Sequence, residues 1–174
     1  NNLGQTDFGE NYVDEACEKI NSIGNSNITW HFIGKVQSNK IKTICKLFDW
    51  VHTISSEKHV KKIDEMSKRI NKVMNVCIQI NIDNEQTKGG ITLEEYEEFS
   101  SSLHGLQNIR LRGLMTIPRS DIPSEESFAR MYDLYKNNDY LDTLSMGMSS
   151  DFITAIENGA NMLRIGQEIF GRRT

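Results

Sequence analysis

The chain has 174 residues, which suits one domain, and its 37% hydrophobic and 25% charged residues permit a modest buried core. A net charge of −4 argues against a surface built for nucleic acid or anionic membranes. The three widely spaced cysteines support neither a disulfide framework nor a zinc site. No apolar run approaches membrane-spanning length. We therefore expect a cytoplasmic protein with no nucleic-acid or membrane partner.

In chain order, the hydrophobic pattern predicts strands and helices in alternation. Residues 1–7 are typical of a helix end and a turn that leads into residues 8–11. Helices are predicted to begin near residues 12, 39, 57, 92, 123 and 152, where helical spacing or a capping pattern starts. Runs rich in β-branched and aromatic residues predict strands at residues 28–34, 50–54, 76–82, 109–117, 141–146 and 162–166.

This alternation amounts to about seven strand–helix units and implies a parallel sheet. An open doubly wound sheet and a closed barrel both fit the pattern. Seven units are one short of eight, and the sequence starts with Asn1 inside an element. We therefore expect a single domain, residues 1–174, with an α/β (β/α)8 TIM barrel fold that here lacks its first strand and most of its first helix.

The stretch 144–151 is the strongest candidate for a binding site. A strand there meets Gly147, and two serines and Asp151 precede the helix predicted from residue 152. Free N–H groups at a helix start suit a phosphate, although an ordinary capped turn is the alternative. In (β/α)8 barrels the loops after the last two strands commonly bind phosphate, and the loop after the final strand carries a second glycine, Gly166.

Two other side chains allow two interpretations each. Arg164 is either a fixed cation in the barrel mouth or one half of a surface ion pair with Glu157 or Glu168. His31 is either a buried, hydrogen-bonded structural histidine, which the pattern favours, or a base.

The basic run at residues 35–42 is more typical of a solvated helix face than of an RNA-binding surface. Methionines at positions 115, 146 and 148 are normally core residues, but near a flat ligand they can pack against it.

Several longer motifs stand together in the order of one known family. They are Phe-Gly-Glu-Asn-Tyr-Val (8–13), Trp-His-Phe-Ile-Gly (30–34), Gln-Ser-Asn-Lys (37–40), Gly-Leu-Met-Thr-Ile-Pro (113–118), Leu-Ser-Met-Gly-Met-Ser (144–149), Arg-Ile-Gly (164–166) and Ile-Phe-Gly (169–171). On these motifs the chain resembles the pyridoxal phosphate homeostasis protein family over essentially its whole length.

The resemblance implies a single-domain (β/α)8 barrel related to the N-terminal domain of alanine racemase. It also implies binding of pyridoxal 5′-phosphate (PLP) by a cofactor carrier or buffer that has no settled catalytic reaction. The family roles fall on a phosphate set, a residue facing the pyridine nitrogen and a ring-pocket set. These are, respectively, Ser145, the backbone of Met146 and Gly147, and Gly166; Arg164; and Asn11, His31 and Met115. Ile165 is also expected to be a cofactor-binding residue.

One family feature lies outside the sequence. The family lysine that holds PLP covalently is on the first barrel strand, before the residue 8–13 motif, and no lysine precedes Phe8 here. Covalent attachment through that lysine is therefore not expected in this chain.

We expect a monomer that exchanges PLP with apo forms of PLP-dependent enzymes. The alternatives are a racemase-like PLP enzyme of the same fold, which would need a second domain for its other base, and an RNA- or protein-interaction barrel using residues 35–46.

Overall fold

The computed structural model describes residues 4–24 and 27–171, and over these ranges seven strands alternate with seven helices. The strands are β1 Asp7–Glu10, β2 Thr29–Phe32, β3 Trp50–Ile54, β4 Met74–Ile80, β5 Ile109–Thr116, β6 Thr143–Met148 and β7 Met162–Arg164. The helices are α1 Val13–Ile23, α2 Ile41–Leu47, α3 Glu57–Arg69, α4 Tyr96–Ser102, α5 Glu125–Lys136, α6 Phe152–Glu157 and α7 Gln167–Phe170. None of the helices in these ranges is long and apolar enough to cross a membrane.

The strands form one parallel sheet in the order β1 to β7, so every strand pairs with its neighbour in sequence. Each of the helices α1 to α6 returns the chain to the start of the next parallel strand, as a βα repeat requires. The sheet is strongly curled: His52 on β3 and Ser145 on β6 are hydrogen-bonded at 3.0 Å, although a flat sheet would separate them by about 14 Å. This is the predicted (β/α)8 barrel architecture, with β1 and β7 as the edge strands.

The amino-terminal region differs from the sequence prediction. No strand was assigned to residues 8–11, which were expected only to follow a turn, but Asp7–Glu10 is a strand that pairs with β2 over four residues, with Phe8 opposite Trp30. The four-residue strand contains Asp7 and Gly9, so its composition is too polar to be recognised without its partner. Of the helix end expected at residues 1–7, positions 1–3 lie outside the described residues and positions 4–6 are not helical.

The predicted capping pattern before α4 is present. The backbone N–H of Thr92 donates to Glu95 Oε2 at 2.8 Å, and the N–H of Glu95 donates to Thr92 Oγ1 at 3.3 Å. The helix proper begins one residue later, at Tyr96. The reciprocal bonds therefore close the turn that leads into α4, as the sequence predicted.

The sheet separates two layers of side chains. The large apolar core lies between the sheet and the helices and contains fully buried residues such as Ile78, Leu114, Leu144 and Phe128. The concave side holds a small second cluster of Trp50, Cys77 and Met115, together with buried polar residues. The concave side is therefore the polar side, and it is where chemistry can occur.

Candidate functional site

The turns that follow β6 and β7 lie side by side, because these two strands are paired. Ser145 is opposite Met162, and Met148 is opposite Arg164. Beyond the strands, the backbone N–H of Glu168 donates to Ser149 Oγ over a long 3.4 Å. The serine-rich loop and the Arg-Ile-Gly loop therefore meet at the carboxyl edge of the sheet.

The two glycines of these loops have different structural roles. Gly166 has φ −124°, and a Cβ atom placed on it would have no heavy atom within 4 Å, so its surface is open to a ligand. Gly147 has φ +93°, and a Cβ there would lie 2.6 Å from the Cβ of Ala155 on α6. Both glycines were expected to let a ligand approach the backbone. Space for such an approach is open at Gly166, whereas Gly147 is required by the packing of α6.

Arg164 points into the barrel, as a cation in the mouth would. Its Nη1 donates to Ser145 Oγ and its Nη2 to the carbonyl oxygen of Thr116, both at 2.8 Å. The ion pairs found among residues 4–24 and 27–171 do not include Arg164, so the alternative of a surface pair with Glu157 or Glu168 is not observed. Burial lowers the pKa of Arg164 to about 10, which leaves the guanidinium charged at neutral pH.

Ser145 is placed differently from the expectation that its side chain contacts phosphate. The residue is fully buried, and its Oγ bonds Arg164 on one side and His52 Nδ1 at 3.0 Å on the other. Since the hydroxyl already accepts from Arg164, its one proton goes to His52. The hydroxyl at the open end of the same loop belongs to Ser149, which is only half-buried.

His31 is a buried, hydrogen-bonded histidine, the interpretation that the sequence favoured. Its Nδ1 lies 2.9 Å from His52 Nε2, its Nε2 lies 3.0 Å from Asp7 Oδ1, and its ring stacks on Trp50 with centroids 5.3 Å apart. Burial lowers the pKa of His31, although the hydrogen bond and charge of Asp7 partly oppose the shift. Both ring nitrogens are hydrogen-bonded to protein side chains, so His31 has a structural role in the barrel interior.

His52 was not singled out from the sequence. It is 1% exposed, and burial, followed by the nearby His31 and Arg164, lowers its pKa well below the ordinary value for histidine. A signal was present: residues 30–32 and 50–52 each place a histidine within a strand beside a tryptophan or β-branched residue. Two such strands adjacent in a parallel sheet bring their histidines together on one face.

The remaining expected residues are spread over both layers. Met115 is buried on the concave side and is the register partner of Ser145, so it lies beside the site. Asn11 is exposed at the carboxyl end of β1. The side chain of Met146 lies in the outer core, so only its backbone is available to the mouth, and Ile165 is half-buried.

These features together suit an anionic ligand. A charged guanidinium beneath the mouth is bonded to neutral oxygens, and a buried cation favours a nearby anion. The open backbone at Gly166 and the Ser149 hydroxyl lie at the same edge. No cluster of three metal-ligating side chains was found in the described part of the chain.

Comparisons with known proteins give consistent results. The family "Alanine racemase, N-terminal domain" matches residues 1–174. The pyridoxal phosphate homeostasis protein of Pasteurella multocida (strain Pm70) is 42% identical over 181 residues, covering 98% of this chain and 78% of that protein. The protein of the same name from Escherichia coli (strain K12) is 39% identical over 184 residues, covering 98% and 77%.

Solved structures give the same fold. PipY of Synechococcus elongatus PCC7942, solved with PLP bound, is 30% identical with a TM-score of 0.89, and the match covers 98% of this chain and 84% of PipY. An alanine racemase of Clostridium difficile 630 superimposes with a TM-score of 0.74 over 99% of this chain and 46% of the racemase. At 17% identity, the racemase shares the fold alone.

Proposed function

The chain belongs to the pyridoxal phosphate homeostasis protein family, within the alanine racemase N-terminal domain family, and on that premise we propose that it binds PLP as a carrier of the cofactor. The observation that carries the proposal is Arg164. Its guanidinium is held inside the barrel by two neutral oxygens and faces the mouth where the loops after β6 and β7 meet.

The residues present fit this cofactor. The phosphate would sit against the open backbone of Gly166 and the Ser149 hydroxyl, where no side chain blocks approach to the glycine. We therefore assign the phosphate contact to Ser149 in place of Ser145. The Gly147 backbone, Ile165 and Asn11 complete the rim, and Met115 packs below it.

Arg164 would lie beside the pyridine nitrogen. Bound PLP supplies an aldehyde and a ring that withdraws electrons most strongly when its nitrogen is protonated. A fixed guanidinium beside that nitrogen opposes protonation, because two adjacent positive charges repel. Such a site holds the cofactor while weakening its electron-withdrawing power, which suits storage and delivery better than turnover.

We further propose that the protein is a monomer that works in the cytoplasm, has no catalytic reaction of its own and passes PLP to apo enzymes. The racemase alternative has less support, because the relatives near 40% identity carry the homeostasis name, whereas the solved racemase is only 17% identical and shares the fold alone. The basic run at residues 35–46 adds little to an interaction role, since Lys40 in it is paired with Asp14.

The test is a titration of the purified protein with PLP, followed by absorbance and equilibrium dialysis. We expect saturable binding at one site, with pyridoxal, which lacks the phosphate, bound at least tenfold more weakly because the charge-assisted contacts are lost. Arg164→Lys and Ser149→Ala should each weaken PLP binding. Arg130→Lys, an exposed change on α5, serves as the matched control and should leave binding unchanged.

Absence of saturable binding would overturn the proposal. Interconversion of L- and D-alanine at about 1 per second or faster would instead favour the racemase. Delivery is tested separately: the PLP-loaded protein should activate an apo enzyme in the presence of a trap that removes free PLP.

A further inference from the structure

Five side chains form one continuous hydrogen-bonded line through the barrel interior. Arg164 Nη1 to Ser145 Oγ is 2.8 Å, and Ser145 Oγ to His52 Nδ1 is 3.0 Å. The line continues from His52 Nε2 to His31 Nδ1 at 2.9 Å and from His31 Nε2 to Asp7 Oδ1 at 3.0 Å. It links β7 to β1, the two edge strands of the sheet, through side chains alone.

With both imidazoles neutral, as their lowered pKa values indicate at pH 7, the chemistry of the two ends fixes every proton in the line. Arginine can only donate, and an ionised carboxylate can only accept. Burial would raise the pKa of Asp7, but hydrogen bonds from Thr6 and His31 outweigh it and lower that pKa, so Asp7 is ionised at neutral pH. His31 must therefore carry its proton on Nε2.

The proton on His31 in turn determines the proton position on His52. The unprotonated Nδ1 of His31 accepts from Nε2–H of His52, so the Nδ1 of His52 is also unprotonated and accepts from Ser145. A neutral imidazole has one donor and one acceptor, so no other arrangement satisfies all four bonds. The result is a single direction of donation, from guanidinium to carboxylate.

The packing leaves these groups little freedom. His31 is 5% exposed, His52 is 1% exposed and Ser145 is fully buried. The Trp50 ring lies 5.3 Å from His31 and 5.8 Å from His52, between centroids. Because Ser145 has no contact with solvent, water cannot replace His52 as the acceptor of its hydroxyl proton.

We propose that His52 is a positioning residue for the cofactor site: by accepting the Ser145 proton, it keeps the Ser145 lone pair turned toward Arg164 and so fixes the guanidinium at the mouth. This inference rests on the proposed function for its consequence in binding. Without the His52 acceptor, the Ser145 hydroxyl turns, one of the two bonds that hold the guanidinium is lost, and Arg164 pivots about its remaining bond to Thr116.

Two replacements of His52 separate the two halves of the line. In His52→Asn the amide oxygen takes the place of Nδ1, so it restores the acceptor for Ser145 but not the donor to His31. In His52→Gln the amide reaches the place of Nε2, so it restores the link to His31 but not the one to Ser145. Both variants keep a polar side chain of similar size, and denaturant unfolding identifies any variant that fails to fold.

We expect His52→Asn to bind PLP within about threefold of the unchanged protein and His52→Gln to bind about tenfold more weakly, the factor commonly caused by one lost hydrogen bond. The absorbance of bound PLP in His52→Gln should also change with pH over a different range, because the cation beside the ring nitrogen has moved. The exposed His104→Asn is the control and should match the unchanged protein. Equal affinities and equal pH profiles for the Asn and Gln variants would overturn the proposal.

A measurement without PLP keeps the two proposals distinguishable. Nitrogen-15 NMR of the free protein should show His31 and His52 both protonated on Nε2 and not on Nδ1, and the Arg164 side-chain resonances should shift in His52→Gln but not in His52→Asn. A His52 protonated on Nδ1 would overturn the inference whatever the cofactor result. Failure of the unchanged protein to bind PLP, with the NMR result as expected, would overturn only the proposed function.

Discussion

A Cβ atom on Gly147 would lie 2.6 Å from the Cβ of Ala155, so the loop after β6 and the helix that follows it touch through a position that only glycine can occupy. The backbone there also has φ +93°, which side chains rarely adopt. Together these facts make Gly147 a structural requirement of the site.

Gly147→Ala should destabilise the protein by about 3 kcal/mol, about 1 to 2 from the positive φ and the rest from the clash. Gly105→Ala is the matched control, because Gly105 has φ +90° but open space around it. We expect Gly105→Ala to lose only the part of the free energy of unfolding that is due to the positive φ. Denaturant unfolding measures both, and equal losses would contradict the packing argument.

Gly166→Ala should show the opposite pattern. Its φ of −124° and open surroundings allow a methyl group, so stability should change by less than about 0.5 kcal/mol. The methyl group would stand where the phosphate is proposed to approach, and PLP affinity should fall at least tenfold. Unchanged affinity in a dialysis experiment would place the phosphate elsewhere.

The two buried histidines predict how stability depends on pH. Burial lowers the pKa of both His31 and His52 below 6.5, so the unfolded chain binds protons more readily than the native protein in the range below that value. Stability should therefore fall as pH decreases from about 6.5 towards 5, by up to about 1.4 kcal/mol per pH unit for each histidine. His52→Asn removes one titrating group and should reduce the slope, and unfolding curves at several pH values test this. An unchanged slope would contradict the buried neutral state of His52.

The three cysteines should differ in reactivity. Cys17 is half-buried, whereas Cys45 and Cys77 are fully buried, and burial raises the pKa of Cys77 to about 12. Since the thiolate is the reactive form, an aromatic disulfide reagent should modify one thiol quickly in the native protein and three after denaturation. Cys17→Ser should abolish the fast reaction, and a fast reaction that survives this change would contradict the buried placement of the other two.

Local pattern was sufficient for much of the fold. The strand at residues 50–54 was predicted with the bounds that it has, because all five of its residues are buried and most are β-branched or aromatic. β1 was missed because its stability comes from pairing with β2, not from its own composition. Spacing likewise placed the loops near Gly147 and Gly166 together, since neighbouring parallel strands end at one edge.

The interior of the site could not be predicted in the same way. The bond between His52 and Ser145 joins residues 93 positions apart, and it forms only because the sheet curls. Hydrophobic periodicity reports which face a residue occupies, but it does not report which residue lies across the barrel. For the same reason the family resemblance assigned Ser145 to the phosphate, without showing that its hydroxyl would already be engaged by His52 and Arg164.

The order of strands in the sheet also bears on how the molecule is made. Each strand from β2 to β7 pairs with the one synthesised just before it, so a nascent chain leaving the ribosome can add these strands one at a time without waiting for distant partners. The line of side chains from Asp7 to Arg164 is the exception, since it cannot close until β7 has been translated. The ligand-binding interior therefore matures only after the scaffold from β1 to β6 has been synthesised.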